Sequence, residues 1–257
     1  MVRGLYAAAS GMVAGMLQQD VIAQNLANID TPGYKRDVAL VGSFGREMAV
    51  RVERQVAGQL ARSVPLGWVG FGSHVRGTGF DKSDGPIVET GAPLDLAIQG
   101  DGYFVVERAE GAAYTRSGSF TLNAEGELVT QQGAPVLGES GRIVIPSGAN
   151  VEVRGDGSVV VDGKMVARLR LVSFDYGFTP EKAGQDVFVA PRGMARSIEA
   201  GDGTVVRQGF LEMSNVSAVK ELVQMIAGMR AYEACQRVVW FLDQTLDKSI
   251  NDVGRPA

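Results

Sequence analysis

Apolar residues recur at three-and-four spacing from the start of the chain. Leu5, Ala9, Met12, Met16, Ala23 and Leu26 form one stripe with Gln19 as its one polar member, and Val13, Leu17 and Val21 add a second row. That period predicts a helix from residue 2 to about 29. Apolar surface on more than one side suits such a helix poorly to an isolated existence in water. The pattern stops at Asn28-Ile29-Asp30-Thr31-Pro32-Gly33-Tyr34. Pro32 biases Thr31 away from helical geometry. Pro32-Gly33 fits the two central positions of a type II turn, where Pro fixes φ and Gly accepts a positive one.

From about 36 to 90 no period holds. Arg36, Arg46, Arg51, Glu53, Arg54 and Arg62 are scattered among Val, Ala and Leu, and a Gly-rich stretch follows from Pro65 to Gly85. This reads as an extended or partly strand-like connection. From about 91 to 210 the period becomes two. Leu94, Leu96 and Ile98 alternate with Asp95, Ala97 and Gln99, and short strands are expected at Phe120 to Leu122, Glu127 to Val129, Arg142 to Ile145, Val151 to Val153, Ser158 to Val161 and Arg168 to Phe174. Asp-Gly pairs beginning at 84, 101, 156, 162 and 202 are hairpin signals when strand-like residues flank them. An all-β sandwich or barrel-like domain is expected here.

From about 214 to 250 the helical period returns, with Ser214 or Asn215 as candidate caps. Met225, Tyr232, Val239 and Leu246 fall seven apart, flanked by Leu222, Ile226, Met229, Cys235 and Leu242. A seven-residue repeat keeps one stripe facing a partner helix. An amphipathic helix packed on the β domain has the same period. The layout of helix, long β middle and helix favours ends that pair with each other or with neighbouring copies. The expected fold is α+β, with the terminal helices pairing as a coiled-coil-like core around a central all-β domain of short strands. The expected segments are an N-terminal helix and turn over 1–35, the connection over 36–90, the β domain over 91–210 and a C-terminal helix over 211–257.

Composition narrows the function by exclusion. The 257 residues carry a formal net charge of -4 and offer no basic footprint for nucleic acid. Cys235 is the one cysteine, so no intrachain disulfide forms, and its place in an apolar helical pattern reads as buried and inert. No run of 18 apolar residues is present. The first twenty residues are a poor signal peptide, because Arg3 is a weak positive start and Ser10, Gly11 and Gly15 break the apolar run. A route of export that removes no leader is therefore expected if the chain leaves the cytoplasm.

Reaction chemistry is hard to find. His74 is the one histidine, so zinc sites built on His and Cys and a Ser-His-Asp triad lack their parts. There is no phosphate-binding Gly-Lys loop, and Gly67, Gly70 and Gly72 do not make a dinucleotide fingerprint. Asp81, Asp84, Asp95 and Asp101 sit mostly in expected turns, where Asp bonds its own backbone. Asp81 to Gly85 lacks the ligand spacing and closing Glu of a calcium loop. The expectation is no enzyme, no metal, no cofactor and no small-molecule substrate.

Three blocks carry a resemblance. The first is Ala9-Ser10-Gly11-Met12 with Asp20 to Asn28 and Thr31-Pro32-Gly33-Tyr34-Lys35. The second is Pro93 to Phe104 with Tyr114-Thr115-Arg116-Ser117-Gly118-Ser119-Phe120. The third is Gln208 to Val216, running on to Met225-Ile226 and Arg230-Ala231-Tyr232-Glu233. In this order they resemble the flagellar rod and hook family, the axial proteins of the bacterial basal body, over most of the chain. The resemblance implies a structural rod subunit spanning the periplasm, with terminal helices packed along the inner axis of a helical tube and the β domain outside. It implies export through the flagellar type III apparatus, and as partners copies of itself and other rod proteins. Gln132 to Gly141 and Val166 to Val172 look more like the proximal-rod type, while the distal-rod type shares the end blocks. The chain is short for the hook type, which has a further outer domain.

On this reading Leu5, Met12, Met16 and Leu26, with Leu222, Met225, Ile226, Met229, Tyr232, Val239 and Leu246, are the candidate assembly residues. Asn25, Asn28, Thr31, Pro32, Gly33 and Tyr34 form the motif turn that sets how the chain leaves the inner core. The rival from another class is a soluble β-domain binding module with helical ends.

Overall fold

In the computed structural model, helix α1 spans Val2–Ala27 and helix α2 spans Ala218–Val253. The structure describes residues 2–53, 62–70, 72–146, 148–174, 178–184, 186–190, 195–198 and 203–253. Two compact units divide the chain: residues 1–26, 37–81 and 218–257 form one, and residues 27–36 with 82–217 form the other. Together they make an α+β protein with a helix toward each end and strands between.

In the first unit the two helices meet through glycines. A Cβ placed on Gly4 would lie 3.5 Å from Leu242, one on Gly11 3.3 Å from Cys235, and one on Gly15 4.0 Å from Tyr232. Numbers rise along α1 as they fall along α2, so the pair is antiparallel. One turn further, Gln19 Nε2 donates to the Met225 carbonyl at 2.9 Å. The missing side chains at 4, 11 and 15 leave room for the side chains of Leu242, Cys235 and Tyr232. The stripe from Leu5 to Leu26 is divided: Met12 and Leu26 are half-buried, while Leu5 and Met16 are exposed.

The connection between the expected domains is a two-stranded antiparallel ribbon. Asp37–Ser43 pairs with Ser73–Phe80, and Arg46–Glu53 pairs with Arg62–Gly70. Pro65 is accommodated because each strand of such a ribbon has an unpaired edge. Two side chains of α1 tie it down. Ser10 Oγ accepts from the Ser73 N–H at 3.3 Å. Asn25 pairs with both backbone groups of Asp37, accepting from its N–H at 2.8 Å and donating to its carbonyl at 2.9 Å. The amide side chain thus stands in for one residue of a neighbouring strand.

The second unit contains a six-stranded antiparallel sheet in the order Glu181–Lys182, Val187–Val189, Gly111–Thr115, Tyr103–Arg108, Leu171–Phe174 and Ala195–Ile198. Its core holds Leu96, Phe104, Phe120, Val136, Ile143 and Leu171. Phe104 and Phe120 meet edge to face at 5.1 Å, a favoured aromatic geometry.

The Asp-Gly signals divide. Asp156-Gly157 joins Val151–Val153 to Ser158–Val161, and Asp162-Gly163 joins the latter to Lys164–Arg168, as paired hairpins. Asp162 at φ 48° and Gly163 at φ 80° both take the positive values a type I′ turn requires. Asp101-Gly102 makes no hairpin, because Leu96–Gln99 pairs with Val205–Gln208 while Tyr103–Arg108 pairs with Gly111–Thr115. Asp84-Gly85 also makes none: Gly85 is packed against the Met213 carbonyl, leaving no room for a Cβ. The pair beginning at Asp202 lies outside the described residues.

Neither expected cap begins α2. Its helical residues start at Ala218. Ser214 Oγ instead accepts from the Val216 N–H at 3.3 Å, and the Asn215 side chain accepts from the Arg36 N–H at 2.7 Å. Glu221 supplies a carboxylate to the first turn of α2, the end where the helix dipole favours negative charge.

Candidate functional site

The motif turn is built from local chemistry outward. The Tyr34 N–H bonds the Thr31 carbonyl at 3.3 Å, closing a β-turn around Pro32 and Gly33. Gly33 has φ +70°, and a Cβ there would strike the backbone of Arg116 and Ser117. Thr31 Oγ1 donates to Asn28 Oδ1 at 3.2 Å. Tyr34 is fully buried, its ring face 3.7 Å from the Lys182 ammonium, which also donates to the Lys35 carbonyl at 2.9 Å.

Beyond this turn lies a buried ionic cluster that the sequence reading did not single out. Lys35 Nζ meets Glu212 Oε1 at 2.7 Å and the Ser83 carbonyl at 2.8 Å. Arg116 reaches Glu212 Oε2 at 3.2 Å, the Gly100 carbonyl at 2.7 Å and the Ile98 carbonyl at 3.2 Å. Glu212 also accepts from the Gly85 N–H at 3.0 Å, and its own carbonyl accepts from the Gly33 N–H at 2.7 Å. Asp84, more than half exposed, closes the charge balance at 3.6 Å from Lys35 and 3.7 Å from Arg116. Two cations and two anions with many backbone partners meet the condition under which buried charge is tolerated. Burial raises the Tyr103 phenol above its ordinary pKa, opposed by the Arg116 guanidinium 5.3 Å from its ring.

The candidate assembly residues separate by direction. Met225, Tyr232 and Val239 are half-buried, on the α2 row that Cys235 and Leu242 share toward α1. Leu222, Ile226, Met229 and Leu246 are exposed. On α1, Met12 and Leu26 are half-buried while Leu5 and Met16 are exposed. The helix pair carries a groove on each stretch of this flank. One is lined by Leu5, Met12, Val239, Trp240 and Leu246, the other by Met16, Asp20, Met229, Tyr232 and Glu233. Asn25 and Asn28 are buried, and Asn25 Nδ2 also lies 3.4 Å from the buried Glu221 carboxylate.

Among the described residues no group of His, Cys, Asp and Glu has metal-binding geometry, and no helix is long and apolar enough to cross a membrane. His74 packs its ring 4.9 Å from that of Phe44 in the ribbon. The arrangement as a whole defines a structural protein: a helix pair with outward apolar surface, and a β unit pinned by buried charge.

Comparison with known proteins gives the family. Residues 5–35 match the model described as flagella basal body rod protein, residues 97–161 that of the flagellar hook protein FlgE/F/G D1 domain, and residues 207–252 that of the flagellar basal body rod FlgEFG protein C-terminal. The flagellar basal-body rod protein FlgG of Buchnera aphidicola is 33% identical over 259 residues, covering 96% of this chain and 98% of its own length. FlgG of Bacillus subtilis is 32% identical over 272 residues, covering 98% and 99%. FlgF of Mesorhizobium japonicum is 30% identical over 252 residues, covering 97% of each. The chain belongs to the flagellar basal-body rod protein family, as a structural subunit and not an enzyme, located in the rod of the bacterial flagellum. Membership implies assembly with copies of itself and with other basal-body proteins. Each matched segment supplies one member of the buried cluster: Lys35, Arg116 and Glu212.

Proposed function

We propose that the chain is a FlgG-type rod subunit that polymerises through the helix pair formed by its two ends and transmits torque by packing. The observation that carries this is helix α2, along which Leu222, Val223, Ile226, Met229, Trp240 and Phe241 are all exposed. Burying side chains of this size is worth about 1.5–3 kcal/mol each. Exposed large apolar side chains in this number on one helix mark an interaction surface. The seven-residue spacing of Met225, Tyr232, Val239 and Leu246 supports a coiled-coil-like seam between the ends. Seven relatives named FlgG, each 31–33% identical, support the FlgG type over FlgF, whose relative is 30% identical. Delivery by the flagellar export apparatus is part of the same proposal and rests on the family resemblance.

Met229→Asp tests it. Met229 is exposed on the groove, whereas Met225 faces α1 and a charge there would disturb the pair itself. The expected result is a chain that folds by circular dichroism, is exported, and is missing from isolated basal bodies. Normal incorporation of Met229→Asp would sink the helical assembly. Antibody labelling of the β unit on isolated basal bodies checks the place along the rod. Label confined to the half nearest the export gate supports the proximal place, and label beyond it the distal one.

A further inference from the structure

The helix pair carries carboxylates beside one groove and arginines along the adjoining outer side of α2. The groove lined by Met16, Met229 and Tyr232 is flanked by Asp20 of α1 and Glu233 of α2. On the outer side of α2, Arg230 and Arg237 stand exposed among Val223, Ile226 and Phe241. Neither Asp20 nor Arg230 has an ion-pair partner among the described residues. Glu233 has only the exposed Arg237 of its own helix at 3.6 Å, a kind of pair that contributes little.

The spacings agree. Arg230 and Arg237 are seven residues apart, about 10 Å along a helix. Gln19 lies against Gly228, so Asp20 stands near the level of that residue, and Glu233 is roughly 8 Å further along α2. The difference is within the reach of an arginine side chain. Matching Arg230 to Asp20 and Arg237 to Glu233 makes two copies run parallel and displaced along the pair, a contact that is not two-fold. It leaves a free groove and a free ridge after every addition, which is the geometry of an open filament.

We infer that a second copy of this chain seats its outer α2 ridge in the groove flanked by Asp20 and Glu233, with Arg230 against Asp20 and Arg237 against Glu233. The inference rests on the polymerising reading and gives it direction. Copies lie parallel, each displaced by about one helical turn along the pair (~5 Å). Apolar burial at Ile226 and Met229 holds the contact, while the two charge pairs fix its register.

Charge reversal tests the pairing in cells whose own chain is replaced by each variant. The amount of the chain in isolated basal bodies is measured against an unrelated basal-body component. Asp20→Arg and Arg230→Asp alone are each expected to lower incorporation about tenfold, and the two together to restore it to within about threefold. A double variant as depleted as either single one, or single variants incorporated normally, would overturn the pairing. Met229→Asp separates the register of the contact from assembly through the helices as such. If it is depleted while the charge variants are not, the helices assemble by another register; if it too is incorporated normally, the polymerising reading fails with it. Circular dichroism of each purified variant verifies that the helices are intact.

Discussion

The ammonium of Lys35 and the carboxylate of Glu212 meet at 2.7 Å, each with about 1% of its side chain exposed and 177 positions apart in the chain. Removing one partner of such a buried pair strands the other. Glu212→Gln is expected to cost about 3–5 kcal/mol, because Lys35 and Arg116 both lose their buried counter-charge and keep only the exposed Asp84. Asp84→Asn, on the half-exposed member of the same cluster, is expected to cost under about 1 kcal/mol. Midpoints of urea unfolding compare the two; equal shifts would show that Glu212 is not the centre of the cluster.

Gly33 is constrained twice, by φ +70° and by the backbone of Arg116 and Ser117 where a Cβ would go. Gly163 has φ +80° with open space around it. Gly163→Ala is therefore expected to cost about 1 kcal/mol from conformation alone. Gly33→Val adds a steric clash with backbone and is expected to cost more than about 3 kcal/mol. Thermal unfolding of both variants decides whether packing or turn geometry dominates at Gly33.

The antiparallel register of the helices is open to a covalent test. A Cβ at Gly11 lies 3.3 Å from Cys235 Sγ, close to the separation between a Cβ and the far sulfur of a disulfide. Gly11→Cys should form an intrachain bond with Cys235 under mild oxidation, seen as a linked peptide by mass spectrometry. Gly15→Cys, which faces Tyr232, should not. The opposite pattern would shift the helices by a turn.

Asp186 is nearly buried, and desolvation holds its carboxyl above the usual pKa. The folded chain therefore keeps this proton to higher pH than the unfolded one. Stability from this group is fully present below the ordinary carboxylate pKa and is lost as pH rises through the elevated folded value. Asp186→Asn should remove that loss. Urea midpoints measured across about pH 3.5 to 7 should fall less with rising pH in the variant; identical slopes would mean the carboxyl is solvated.

Sequence patterning revealed the two helices but not the glycines that α1 presents to α2. The 3.6-residue period survives in any amphipathic helix, so α1 and α2 were legible. Gly4, Gly11 and Gly15 were not, because a seam made by missing side chains leaves no apolar stripe to count. The ribbon was hidden for a related reason: Pro65 and several glycines break the alternation that marks a strand, yet strands with a free edge tolerate them. Lys35, Arg116 and Glu212 sat inside recognisable motifs, but isolated charges are ordinarily surface residues. Only the fold brings them together. A visible clue was that Arg116 and Glu212 each interrupt an otherwise apolar or small-residue run.

The bond between Asn25 and Asp37 has a mechanical consequence. The two residues are 12 positions apart, and the intervening chain makes the whole motif turn before returning to the same point. A pull along α1 therefore need not travel through that turn. It crosses to the ribbon through two hydrogen bonds side by side, a shunt that shields the detour from load. In a part that works under rotation, Asn25 is a strain relief, and its loss should be felt first as compliance.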